Sequence, residues 1–194
     1  MAAEPSQLAT GPRVLLRLPV PEDTVAFLRF VRASRRLHQP WVYPPSDERA
    51  FASYVRHAGG ERQLGCLVCL RASAAIVGVV NLSEIVLGNF LSAYLGFYGH
   101  AEHAGRGYMK EGIHLALRHA FRVLGLHRVE ANVQPGNVGS LALIQSLGFA
   151  KEGYSPKYLK IGGRWRDHER WAILADVPPR TYDRKPVTRG RASR

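Results

Sequence analysis

Acidic residues are scarce in this 194-residue chain: 15 aspartates and glutamates stand against 27 lysines and arginines, for a formal net charge of +12. The shortage argues against a polycationic partner. It predicts attraction to polyanions such as RNA or a phosphorylated cofactor, and it has no bearing on the fold. Cysteine is scarcer still. Cys66 and Cys69 form a C-x-x-C within Leu64-Gly65-Cys66-Leu67-Val68-Cys69-Leu70, a strand-like run. Residues three apart on a strand face opposite ways, so the thiols cannot readily meet, and two buried structural cysteines are expected.

Long apolar runs are also missing. Leu64 to Gly99 is apolar-rich with Arg71 and Glu84 as its charges, but glycines, Asn81 and Asn89 break it up. It falls short of the ~20 continuous apolar residues that a membrane helix requires. Met1 to Pro12 has no apolar segment behind a basic start, so no secretory signal is expected, and the reading is a cytoplasmic protein without membrane contact. The eight histidines contain no H-E-x-x-H, and His114 and His119, five apart, fall on different helix faces. No metal is therefore expected.

What is present suits one globular domain, with 46% hydrophobic residues. The expected boundaries are a flexible N-terminus over residues 1–12, a domain over 13–177, and a basic tail over 178–194 that carries +5 of the net charge. Val14 to Leu18 reads as a strand. A helix opens at Pro21-Glu22-Asp23, and Ser46 is a candidate N-cap for a second, ending near His57. The proline-rich segment from His38 to Pro45 breaks regular structure between them. Gln63 to Arg71, Ala75 to Leu82 and Leu91 to Gly99 follow as an antiparallel meander.

An amphipathic helix to Leu124 comes next, stopped by Gly125. Arg128 to Val133 alternates as a strand, Val138 to Leu147 forms a helix, and Ala150 to Ile161 and Arg164 to Leu174 bracket a Gly162-Gly163 hairpin turn. The order β-α-α-β-β-β-α-β-α-β-β describes an α/β (α+β) fold. One strand–helix–strand crossover implies a parallel pair in a mostly antiparallel mixed sheet.

The most informative stretch is His103-Ala104-Gly105-Arg106-Gly107-Tyr108-Met109. A glycine turn opening a helix presents unpaired backbone N–H groups and the positive end of the helix dipole, a ready anion site. A tight connection with no ligand is the other reading of such a turn. Lys110 stands where a dinucleotide fingerprint needs its third glycine, and the Gly-Lys-Ser/Thr of a P-loop is missing.

That stretch resembles the pyrophosphate loop of the GCN5-related N-acetyltransferase superfamily, with Glu102 where the family carries Gln or Arg. Asn137-Val138-Gly139-Ser140 with Leu147-Gly148-Phe149 is similar to its second cofactor motif. Pro40-Trp41, Lys151-Glu152-Gly153-Tyr154 and Trp165-Arg166-Asp167-His168 resemble the RimJ/RimL branch, particularly its RimJ-type acetylases of ribosomal protein N-termini. The resemblance spans Val14 to Val177. It implies a sheet whose central parallel strands splay apart around acetyl-CoA, the acetyl donor. Its pyrophosphate is then held at His103, Ala104, Gly105, Arg106, Gly107 and Tyr108, with Asn137 and Ser140 as further contacts. A backbone N–H of Phe97 or Tyr98 stabilises the developing oxyanion.

Ser140 is then the candidate donor to the departing thiolate, against a plain surface-helix position. Glu84 is the candidate base, against an exposed edge residue. A water chain is the alternative, because an α-amine of pKa ~7.7–8.0 is partly neutral at pH 7. Trp41, Tyr43, Tyr154 and Tyr158 are candidate walls of the acceptor pocket, or ordinary packing aromatics. Asp167-His168 suggests half of a catalytic pair, but neighbours on a strand point opposite ways, so a structural or substrate-edge role is expected. The expected acceptor is a protein N-terminus, ribosomal in the RimJ-type reading, with the tail touching ribosomal RNA and the enzyme a monomer or homodimer. A small amine such as an antibiotic or polyamine, and a CoA-binding ribosome-assembly factor, are the alternatives.

Overall fold

The computed structural model describes residues 6–176. The basic tail lies outside the described residues, and so do residues 1–5. Among the described residues nine strands form one mixed sheet in the order β1-β2-β4-β5-β6-β7-β9-β8, with β3 beside β4. The strands are β1 Gln7–Thr10, β2 Val14–Arg17, β3 Gly59–Gly60, β4 Gln63–Leu70, β5 Ile76–Val86, β6 Ser92–Gly99, β7 Arg128–Val133, β8 Ala150–Ile161 and β9 Arg164–Leu174. The helices are α1 Thr24–Ala33, α2 Arg35–His38, α3 Glu48–His57, α4 Tyr108–Arg122 and α5 Val138–Leu147. Every neighbouring pair is antiparallel except β6–β7.

Helices cover both faces. On one, Ile113 and Leu117 of α4 and Ile144 and Leu147 of α5 pack on Val14, Leu16, Val68 and Val80. On the other, Phe27 and Phe30 of α1 and Phe51 of α3 pack on Leu67, Val79 and Tyr98. Cys66 belongs to the first cluster and Cys69 to the second, so the sheet itself separates the two thiols. Burial pushes their pKa values up to about 12 and about 11, which keeps both protonated and inert.

The turns follow local chemistry. Gly162 and Gly163 take φ of +57° and +79°, the backbone that a two-residue hairpin needs. At the end of α5, left-handed Gly148 donates to Gln145 O and Phe149 to Ile144 O, and the Phe149 ring packs back into the core.

Three sequence expectations are corrected. Gln7–Thr10, expected within a flexible arm, pairs with β2 from Gln7–Arg17 to Thr10–Leu15, because Leu8 and Ala9 find apolar cover on the main core. The N-cap of α3 is Asp47 and not Ser46: the Asp47 carboxylate accepts the Ala50 N–H at 2.8 Å. Finally, α4 ends at Arg122, two residues before Leu124.

Among the described residues no helix is long and apolar enough to cross a membrane.

Candidate active site

The parallel strands stay together for three pairs, Ser92–Arg128, Ala93–Val129 and Tyr94–Glu130. Beyond Tyr94 they part. β6 stays with β5 as far as Gly78–Gly99, while β7 stays with β9 as far as Val133–Glu169, so each strand keeps its outer neighbour and a wedge opens between them. The ladder phase says which amides face that wedge. His100 donates its N–H to Val77 O at 2.8 Å, so Tyr98 and Gly96 also bond to β5. Leu95, Phe97 and Gly99 therefore point their N–H and C=O groups the other way. Of the two amides offered as alternatives for the oxyanion contact, Phe97 faces the wedge and Tyr98 does not.

At the end of β6 the chain makes one 3-10 turn over Ala101–His103, then passes left-handed Gly105 (φ +75°) and Gly107 (φ +78°) into α4. Helix α4 has Gly107 as its N-cap, a residue with no side chain to cap the helix with. Its first-turn N–H groups are the ones a helix leaves unpaired. Arg13, just before β2, braces this turn from behind. Its Nη1 donates to Arg106 O at 3.0 Å and its guanidinium lies 4.8 Å from the Tyr108 ring centre. Buried Glu111, in the first turn of α4, accepts from Arg13 N (2.7 Å), Arg13 Nε (2.8 Å) and Val14 N (3.0 Å).

A cavity of about 660 Å³ fills the wedge and reaches this turn. Phe97, Tyr98, His103, Ala104, Gly105, Gly107, Tyr108, Asn137, Ser140 and Trp41 all line it. Asn137 also caps α5 by accepting Ser140 N–H at 3.2 Å, so it is both the turn residue and a wall residue. Arg106 contributes its carbonyl to the Arg13 brace and is not part of the wall.

The remaining candidates lie elsewhere. Tyr43 sits in an adjoining groove and covers the Gly162 turn. Tyr154 is half exposed and bonded to Asp167 at 2.5 Å. Tyr158 stands edge-on to His168, with ring centres 6.1 Å apart. Glu84 occupies a bulge between Ser83 and Val86 with φ +47°, which turns it out of the strand's regular alternation. Its carboxylate is 60% exposed and paired with Arg62 at 2.5 Å, away from the cavity. Glu84→Gln is therefore expected to leave kcat within about twofold and stability within ~0.5 kcal/mol of wild type, checked by steady-state rates and a thermal melt.

Six further polar residues on the wall were not among the expected site residues: His38, His100, Lys110, Asn132, Gln134 and His168. Asn132 belongs to the polar face of an alternating strand, and that alternation is the local signal that would have found it. The His38 Nδ1, Tyr98 hydroxyl, His103 Nδ1 and Asn132 Oδ1 are buried with no hydrogen-bond partner among the described residues, and all four belong to the wall. Such atoms fit a cavity built to receive polar groups along its length. Burial lowers the pKa of His38, His100 and His168 and favours their neutral forms.

Residues 13–150 match the Acetyltransferase (GNAT) domain family. The chain belongs to this family. It is a GNAT-type N-acetyltransferase, and its fold is one that binds acetyl-CoA. It is 32% identical over 182 residues to the ribosomal protein uS5-alanine N-acetyltransferase of Escherichia coli, covering 87% of this chain and 91% of that one. A spermidine N(1)-acetyltransferase of Vibrio cholerae is 28% identical over 76% of this chain and 86% of its own. Among solved structures, Mycobacterium smegmatis RimJ in complex with CoA-disulfide superposes with a TM-score of 0.80 at 28% identity, over 88% of this acetyltransferase and 89% of RimJ.

Proposed function

We propose that this acetyltransferase moves an acetyl group from acetyl-CoA to the N-terminal α-amine of a protein, and that the protein is ribosomal. The observation that carries the reading is the wedge itself: an unpaired amide edge on β6 that runs from the parting of two parallel strands to an open helix N-terminus. The edge suits a long ligand carrying amides at one end and phosphates at the other. Acetyl-CoA supplies an activated thioester. The N–H groups of Gly105 to Tyr108 bind its anionic end with help from the α4 dipole. The Phe97 N–H, aimed into the wedge, is placed to polarise a carbonyl there.

The Ser140 hydroxyl on α5 is the proton donor on the leaving-sulfur side. Ser140→Ala is expected to lower kcat by roughly tenfold to a hundredfold while leaving the acetyl-CoA Kd unchanged, read by stopped-time assays and calorimetry. Equal loss in both would remove Ser140 from the chemistry and place it in binding.

The acceptor is favoured by pKa. An α-amine at ~7.7–8.0 is far more often neutral near pH 7 than a lysine at ~10.4. A net charge of +12 also disfavours a polyamine and suits a substrate delivered within a ribonucleoprotein particle. The uS5-acetylating relative, matched over most of both chains, points the same way. The deciding experiment compares three acceptors at one acetyl-CoA concentration: an Ala-initiated peptide, the same peptide with its α-amine blocked and a lysine free, and spermidine. Acetylation of the first alone is expected. A higher kcat/KM for spermidine would move the assignment to the small-amine side.

A further inference from the structure

We propose that His168 accepts the proton of the incoming amine. The inference rests on the acetyl-transfer reading above and adds the base that the reading lacks. Glu84, the carboxylate expected for that role, is outside the cavity.

Four histidines lie on the cavity wall, and hydrogen bonding sorts them. The His100 Nδ1 is engaged by the Glu102 N–H at 3.2 Å. His38 donates from Nε2 to Gly99 O at 2.9 Å, which leaves its lone pair on Nδ1, an atom closed off from solvent. The His103 Nδ1 is closed off in the same way, beside the phosphate turn. His168 differs. Its Nδ1 lies 3.0 Å from Arg166 O, and a carbonyl oxygen can only accept. Nδ1 therefore carries the ring proton, and the lone pair is on Nε2. The ring is 3% exposed and held edge-on by Tyr158. Its wall neighbours Leu159 and Ile161 of β8 are apolar, which suits a neutral amine.

The groups around His168 leave it free to act as a base. Asp167 precedes it and is bonded to the Tyr154 hydroxyl and the Lys157 N–H. Tyr158 faces it from β8, and the Ser140 segment of α5 carries no charge. Across the cavity stand His38 on α2, Tyr98 on β6, His100 and His103 in the turn, and Tyr108 and Lys110 on α4.

In the step, an amine N–H bond breaks and its proton passes to the His168 Nε2. The amine nitrogen bonds to the acetyl carbon as the carbon–sulfur bond breaks. The sulfur takes a proton from Ser140, whose oxygen regains one from water, or from water directly, and the imidazolium returns its proton to the hydroxide left behind.

The test is the pH dependence of kcat/KM for the Ala-initiated peptide in wild type and His168→Gln, with CoA affinity by calorimetry and folding by thermal melt. The wild type is expected to show the α-amine's own limb near ~8 and a second acid limb below the ordinary histidine value of ~6.5. That lower limb must coincide with the His168 ring titration followed by NMR in the free wild-type enzyme. The variant is expected to keep its CoA affinity, lose about a hundredfold in kcat, and lose the lower limb. A lower limb that persists in the variant, or an NMR titration that misses the wild-type limb, would overturn the proposal. The NMR arm decides even if the variant fails to fold. Absence of CoA binding by wild type would defeat the functional reading, and intact CoA binding with an unchanged pH profile would defeat His168 alone.

Discussion

Gly105→Val is expected to leave the protein folded while raising the acetyl-CoA Kd by about tenfold to a hundredfold. At φ +75° a β-branched residue strains the backbone by roughly 1–2 kcal/mol. In a chain of this length that lowers Tm by only a few degrees, at about 2–4 °C per kcal/mol. An added Cβ meets no protein atom within 4 Å, so the core is untouched. The space the valine takes is the space in front of the α4 N-terminus, where the anionic end of the ligand is proposed to lie. Losing one charge-assisted N–H bond to a phosphate, at ~1.5–3 kcal/mol, corresponds to about tenfold to a hundredfold in affinity. Calorimetry with acetyl-CoA reads the affinity, and a melt of the free protein reads the fold. A large drop in Tm with unchanged affinity would mean that the turn serves only to connect β6 to α4.

Glu111→Ala is expected to be the most destabilising single change outside the apolar core. One buried carboxylate satisfies two backbone N–H groups and the Arg13 side chain, joining the start of β2 to the first turn of α4. Truncation removes the shared acceptor of the Arg13 N–H, the Arg13 Nε–H and the Val14 N–H, at a place where Val14 and Glu111 are buried. Removing one partner from such a buried cluster costs about 3–5 kcal/mol. The Tm should fall by roughly 10 °C. Arg13 also holds Arg106 O, so the phosphate turn should loosen, and the acetyl-CoA Kd should rise alongside the loss of stability. Glu111→Gln keeps one acceptor oxygen and should fall between the two. Guanidinium unfolding of all three proteins gives the ranking. A difference below 1 kcal/mol between wild type and Glu111→Ala would show that the cluster is not what joins the two elements.

How much of this was legible in the sequence depended on which physical signal a segment carried. β7, α5, β8 and β9 match their expected bounds because strict alternation, a 3.6-residue period and glycine punctuation are local signals. β1 was not legible. Gln7–Thr10 is short and half polar, and it becomes a strand only because β2 offers an edge. The glycine turn that opens α4 was legible because its shape is carried by backbone, which two glycines of positive φ announce. The acceptor side was not, because it depends on which way side chains leave twisted and bulged strands.

Glu84 illustrates that difficulty: a lone carboxylate among apolar residues suggests a buried base, and a bulge with positive φ turns it out to Arg62. His168 is the converse case. The alternation that correctly separates it from Asp167 also sends it into the cavity, but nothing local says which side of β9 the cavity occupies. Tyr43 and Tyr154 were chosen as aromatics; both are half exposed and neither lines the cavity.

The most direct test of the central claim is mass spectrometry of the host's ribosomal proteins with and without this gene, followed by peptide mapping of any acetyl group found. The expected result is one ribosomal protein that carries an acetyl group on its α-amine when the gene is present and a free amine when it is absent. Unchanged masses for every ribosomal protein, or acetyl groups only on lysine side chains, would contradict it.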